Sequence, residues 1–257
     1  MLEAKTTAPN ITEATDEVDG IPLRWAAPEA PNGVALWVTH LGGSADQEQP
    51  VLKQLAERGL LAISFDPPGH GRRGNGGDPF AMGAEILQAF RRRMWPLAGR
   101  TVLQSLRVLD WADQRFGVEG KRVAGGVSMG GDIVVALAGI DKSISRVAAL
   151  VATPDWTRPG MRELFSDALL DQGEADRYAQ WFYDQLDPIT HVDAYRRDVA
   201  IKFLSGAEDR HVPAEAAYRF HSLLGERVTV DLFDDLDHLA AAQDERLSVA
   251  ALNWLTQ

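Results

Sequence analysis

Cysteine is absent from the 257 residues, which excludes disulfides, thiolate metal sites and a cysteine nucleophile. An excess of basic charge is missing too. Against 37 Asp and Glu there are 26 Lys and Arg, a net charge of −11, which argues against nucleic acid or an anionic membrane as the principal partner. No apolar run approaches the roughly 20 residues that span a bilayer. The opening Met-Leu-Glu-Ala-Lys-Thr lacks the basic segment and apolar core of a secretory signal. The 6 histidines show no metal-ligand spacing, so neither a metal nor another cofactor is expected. What remains is the expectation of a cytoplasmic enzyme acting on a small molecule.

What is present is a regular alternation of two periodicities. Residues 1–11 read as a loose tail. Two segments, 11–18 and 21–26, flank Asp19-Gly20, a strong signal for a two-residue hairpin. Short apolar runs follow at 34–39, 60–65, 123–127, 147–152, 200–205 and 228–233, as expected of strands buried on both faces. Between them lie helix-period segments at 49–58, 80–95, 101–116, 129–140, 214–224 and 239–255, with Pro96 read as the stop of the second. The expectation is an α/β fold in one domain over 1–257, an approximately eight-stranded, mostly parallel sheet with helices on both faces. Residues 153–195 interrupt the alternation. Tyr178, Trp181, Phe182 and Leu186 share a helical face there, and 162–170 reads as a second helix. This insertion is read as a small cap over the site.

The chemistry concentrates at Gly126-Val127-Ser128-Met129-Gly130. Gly-x-Ser-x-Gly between a strand and a helix is the pattern of a nucleophile elbow, whose sharp turn thrusts the serine hydroxyl outward. A serine hydroxyl is a poor nucleophile until a base takes its proton, and the base works best when a carboxylate orients it. The chain offers both downstream, in the order acid then histidine. Asp209 follows the strand at 200–205, and His238 follows the strand at 228–233, each beyond the carboxyl end, where open α/β sheets build their sites. Glu208 is the alternative acid and His211 the alternative base, although His211 lies too close to Asp209 in sequence to face it across a site.

These pieces, with His40-Leu41-Gly42-Gly43, the run from Asp66 to Gly71 and the Val-Pro after His211, resemble an α/β-hydrolase. The likeness is to the esterase-like branch that includes dienelactone hydrolases and prolyl-oligopeptidase-type catalytic domains. The resemblance implies Ser128 as nucleophile, His238 as base and Asp209 as orienting acid, with an oxyanion hole from the backbone N–H groups of Leu41 and Met129. It implies carboxylic-ester hydrolysis of a small acyl substrate through an acyl-enzyme. Thioesterase, lactonase, peptidase or acyltransferase chemistry, and a non-catalytic ligand-binding relative, stand as alternatives. Leu41 occupies a place where the family often has glycine, which narrows the acyl pocket; Trp156, Trp181 and Phe182 of the insertion are expected to line it. The basic run Arg91-Arg92-Arg93, with Arg72 and Arg73, reads as a solvated face.

Overall fold

A computed structural model describes residues 10–76 and 78–257. The expected tail therefore lies outside the described residues up to position 9. The eight strands are β1 (Ile11–Val18), β2 (Ile21–Pro28), β3 (Gly33–Val38), β4 (Leu61–Phe65), β5 (Lys121–Val127), β6 (Ile144–Leu150), β7 (Ala200–Gly206) and β8 (Val228–Phe233). They form one sheet in the order β1-β2-β4-β3-β5-β6-β7-β8. The β1–β2 and β2–β4 pairings are antiparallel, and every pairing from β4 to β8 is parallel. Asp19 and Gly20 make the hairpin turn with φ of 50° and 72°, the left-handed pair that a type I′ turn requires.

Side-chain alternation divides the core between the two faces. On β3, Val34, Leu36 and Val38 enter one apolar cluster, while Ala35 and Trp37 enter the other. The same alternation runs through Val147 and Ala149 against Ala148 and Leu150 on β6. The second cluster is closed by α1 (Gln49–Glu57) and α8 (Glu245–Leu255), through Leu52, Leu55, Leu252 and Leu255. The first is closed by α3 (Phe90–Phe116), α4 (Met129–Ile140) and α6 (Glu215–Leu224). The helices α2 (Pro79–Leu87), α5 (Arg177–Leu186) and the short α7 (His238–Gln243) complete the set. Among the described residues no helix is long and apolar enough to cross a membrane.

Three expectations are corrected. Pro96 does not stop a helix; it lies inside α3. The break falls earlier, at Ala89, with φ −146° and ψ 57°. Proline inside a helix costs about 3 kcal/mol, but Phe90, Met94, Trp95 and Leu97 around it are all buried, each worth about 1.5–3 kcal/mol. Packing wins. Residues 162–170 form no helix; a single antiparallel bridge pairs Arg162 with Leu169. Its flanks are closed by Glu163 N–H to the Ala168 carbonyl and Leu170 N–H to the Met161 carbonyl, so its backbone groups are satisfied locally without helical turns. Finally, the closing helix is two helices. Asp244 leaves the helical region at ψ 125° and its carboxylate caps α8 by accepting the Arg246 N–H at 2.8 Å.

The insertion is fastened to α3. Phe182 packs so closely on Gly99 that a Cβ there would stand 2.7 Å from its ring carbon, and Tyr183 stacks on Trp95 at 4.5 Å between centroids. The buried face of α5 is thus Ala179, Phe182 and Leu186, while Tyr178 and Trp181 remain more than half exposed.

Candidate active site

Ser128 stands between β5 and α4 with φ 53° and ψ −116°, a region that a residue bearing a Cβ occupies only under strain. The turn is possible because its flanks carry no side chains. A Cβ on Gly126 would lie 2.5 Å from the Gly130 carbonyl carbon, and one on Gly130 would lie 2.7 Å from the Thr39 carbonyl oxygen. The second approach brings the end of β3, and the loop His40-Leu41-Gly42-Gly43 after it, against the first turn of α4. The Ser128 N–H is held by the Leu150 carbonyl at 2.8 Å.

The loops after β7 and β8 are stitched together. Ala207 N–H donates to the Phe233 carbonyl at 2.9 Å and Glu208 N–H to the Leu236 carbonyl at 3.0 Å. That places Asp209 and His238 side by side. Asp209 is almost fully buried; its Oδ1 accepts the N–H groups of His211 and Val212 at 3.0 and 2.7 Å. Its Oδ2 lies 2.7 Å from His238 Nδ1. The other ring nitrogen, His238 Nε2, lies 3.1 Å from Ser128 Oγ. A carboxylate only accepts, so a neutral His238 carries its proton on Nδ1 and turns a lone pair on Nε2 towards the serine hydroxyl. One hydrogen-bonded run therefore joins residues 128, 238 and 209, drawn from three strand ends. Glu208 is exposed, and the carboxylate that meets His238 is that of Asp209.

The other residues singled out in the sequence are distributed as follows. Leu41 is partly buried and packs against the main core, and Met129 is buried at the first position of α4. Trp156 is buried in the same core, with its carbonyl accepting Trp95 Nε1–H at 2.8 Å. Phe182 is buried on Gly99, and Trp181 is 53% exposed. Among the described residues no group of three His, Asp or Glu could hold a metal ion. Asp66 acts as a loop tie rather than a site residue: its carboxylate accepts Ala45 N–H and Arg72 N–H, each at 2.8 Å.

One feature escaped the sequence reading. Beneath the elbow, Asp132 of α4 is buried against Arg158 of the insertion, forms an ion pair with it and accepts the Thr153 N–H at 2.8 Å. Burial pushes the Asp132 carboxyl up, opposed by the Arg158 charge. Removing one partner of such a pair costs about 3–5 kcal/mol, so it clamps the start of the insertion to the helix that follows Ser128. A lone aspartate in an otherwise apolar helix was the available signal. His211, the alternative base of the sequence, has its ring 4.9 Å from that of His238. Its Nδ1 is 2.8 Å from the Arg162 carbonyl; a carbonyl only accepts, so the proton sits there. Burial first, then the neighbouring His238 and Arg158, push its pKa down to about 3.

An open, mostly parallel sheet with a strained serine at a strand–helix turn and an acid–histidine pair at two later strand ends defines the α/β-hydrolase class. The chain belongs to the prolyl oligopeptidase family, whose model matches residues 80–257, and is an enzyme of the hydrolase type. No curated protein matches the sequence. Among solved structures, TT1662 of Thermus thermophilus is similar, with a TM-score of 0.71 and 22% identity, over 96% of this chain and 99% of its own. An esterase of Pyrococcus furiosus gives a TM-score of 0.64 at 15% identity, over 96% and 92% of the two chains. S-formylglutathione hydrolase of Staphylococcus aureus gives 0.65 at 14%, over 98% of each. At these identities the likeness is one of fold.

Because His211 is neutral when folded down to about pH 3 but protonates near 6.5 when unfolded, the unfolded chain binds the extra proton between those values. Stability from this group is complete above pH 6.5 and falls as pH drops towards 3, by up to about 1.4 kcal/mol per pH unit. His211→Gln should remove that slope. The check is the difference in urea-unfolding free energy between wild type and variant at pH 7, 6, 5 and 4, which should move steadily in the variant's favour.

Proposed function

We propose that the protein is a serine hydrolase that cleaves carboxylic esters of small acyl substrates through an acyl-enzyme, using Ser128, His238 and Asp209. The observation that carries the reading is the continuous run from Ser128 Oγ to His238 Nε2 at 3.1 Å and from His238 Nδ1 to Asp209 Oδ2 at 2.7 Å. Ser128 Oγ attacks the acyl carbon while His238 Nε2 takes its proton; Asp209 stabilises the imidazolium without being protonated. The tetrahedral oxyanion is met by the N–H groups of Met129 and Leu41, donors fixed before charge develops. Collapse breaks the ester C–O bond, and the alkoxide leaves with the proton from His238. Water then attacks the acyl-enzyme, His238 again takes the proton, and the acid is released as Ser128 regains its own. Every group in both half-reactions comes from the chain or from water. An esterase and an S-formylglutathione hydrolase among the structural neighbours support ester cleavage, and the prolyl oligopeptidase family and a puromycin-hydrolyzing peptidase neighbour keep amide cleavage as the second reading.

The identity of the acid is tested by a pair of variants. Asp209→Asn keeps the shape but favours the wrong imidazole tautomer, and should lower kcat on p-nitrophenyl acetate by about 10⁴ with little change in KM. Glu208→Gln should leave kcat near wild type. The reverse pattern would transfer the role to Glu208.

Leu41 carries the prediction on substrate size. Its side chain stands beside the first-loop donor, so it takes volume from the acyl side of the pocket, with Trp156, Trp181 and Phe182 of the insertion as the proposed further walls. The preference should be for acetyl to butyryl chains. A methylene that no longer fits is worth about 1–3 kcal/mol, or tenfold and more per step. In kcat/KM across p-nitrophenyl esters from acetate to octanoate, wild type should fall beyond butyrate and Leu41→Gly should shift the optimum to longer chains. Values level or rising to octanoate in the wild type would contradict this.

A further inference from the structure

The basic run that reads as a solvated face does not merely face solvent. A cavity of about 370 Å³ opens between α2, α3, α5 and the loop after β4. Its walls divide by chemistry. Met82, Ile86 and Leu97 give it an apolar side, and its polar side carries Arg92, Arg93 and Arg100 together with the carboxylate of Glu85. Arg93 and Arg100 are seven residues apart on α3, hence on one face about two turns apart.

The arginines are not equally satisfied. Arg92 pairs with Asp176 at 3.2 Å, and Arg93 pairs with Glu85. Arg100 has no carboxylate within ion-pair distance among the described residues; its Nε donates to the Pro96 carbonyl at 3.2 Å, a bond within its own helix. The other guanidinium N–H donors of Arg100, an exposed residue of the cavity lining, carry no hydrogen bond to another described residue. Behind it stands Arg73, bonded to the Asp66 carbonyl and the Gln104 side chain, again without a carboxylate partner. Burial and then the Arg100 charge lower the Arg73 pKa, opposed by the Asp66 carboxylate. The Arg100 charge is therefore not neutralised by an ion pair among the described residues, in a chain of net charge −11.

We propose that this cavity is a binding site for a small carboxylate carried on an apolar body, with the carboxylate on Arg100 and the body against Met82, Ile86 and Leu97. A planar guanidinium matches a carboxylate in a two-bond fork, and Arg100, the one arginine of the cavity lining with no ion-pair partner among the described residues, matches one negative charge rather than the two of a phosphate. The apolar wall then sets the rest of the ligand. The assignment stands independently of ester hydrolysis, since it uses none of residues 128, 209 and 238.

Benzoate is the probe, titrated by calorimetry into the full chain, with benzyl alcohol and inorganic phosphate as comparisons. A fragment of that size should bind in the millimolar range. Arg100→Gln should weaken benzoate about tenfold or more, the scale of a lost charged hydrogen-bond partner. Arg107→Gln, also on α3 but paired with Asp19, should change nothing. Benzyl alcohol and phosphate should each bind at least about tenfold more weakly than benzoate, one lacking the charge and the other the apolar body. The same titration of Ser128→Ala should match wild type, which separates this site from the proposed chemistry. Benzoate affinity unchanged in Arg100→Gln, or phosphate binding as tightly as benzoate, would overturn the proposal. Turnover of p-nitrophenyl acetate with benzoate present identifies the source: competitive inhibition assigns the carboxylate to the substrate itself, and unchanged turnover to a separate ligand.

Discussion

The turn at Ser128 sets the geometry to which everything else near the site conforms. Holding a side-chain-bearing residue at φ 53° costs of order 1–3 kcal/mol, and it persists only where surroundings leave no alternative. Here they leave none. Gly126 and Gly130 allow strand, helix and the end of β3 to meet at backbone distance, and the Ser128 N–H is fixed by β6 through the Leu150 carbonyl. The same approach of Gly130 to Val38 and Thr39 brings the loop carrying Leu41 beside the N-terminus of α4. The elbow thereby positions the proposed nucleophile and the proposed oxyanion donors in one step.

Around that turn, buried carboxylates do the work of aligning loops. Asp66 ties the loop after β3 to the loop after β4. Asp209 uses one oxygen to fold its own loop back on itself and the other to hold His238. Asp132 reaches from α4 to the insertion through Thr153 and Arg158. Each would be destabilising if left unpaired in the interior, so each constrains where its loop runs. His211, neutral beside His238, fits the same logic: a second imidazolium 4.9 Å away would oppose the charge that His238 acquires during the proposed reaction.

The fold was legible because its sheet is buried on both faces, so β3, β4 and β5 appear as short uninterrupted apolar runs. The Asp19-Gly20 turn and the Gly-x-Ser-x-Gly pattern are local signals that tertiary packing does not overrule. Local signals failed where packing decided. Pro96 reads as a helix stop, yet the buried face around it carries α3 through. Residues 162–170 have helical spacing, yet their backbone closes on itself and on Arg210. The order of serine, acid and histidine was readable, and Glu208 could be set apart from Asp209 only by seeing which carboxylate meets His238. The Asp132–Arg158 pair and the unpaired Arg100 depend on contacts between distant segments, and no spacing in the sequence announces them.

The central claim is that the strained serine is the nucleophile. Treating the protein with a fluorophosphonate and mapping the adduct by peptide mass spectrometry tests it directly, because the reagent traps a serine only where a base and oxyanion donors already surround it. The account predicts a single adduct on Ser128 in the wild type and none in Ser128→Ala, with the two proteins melting at closely similar temperatures. An adduct on any other residue, or equal labelling of the variant, would contradict it.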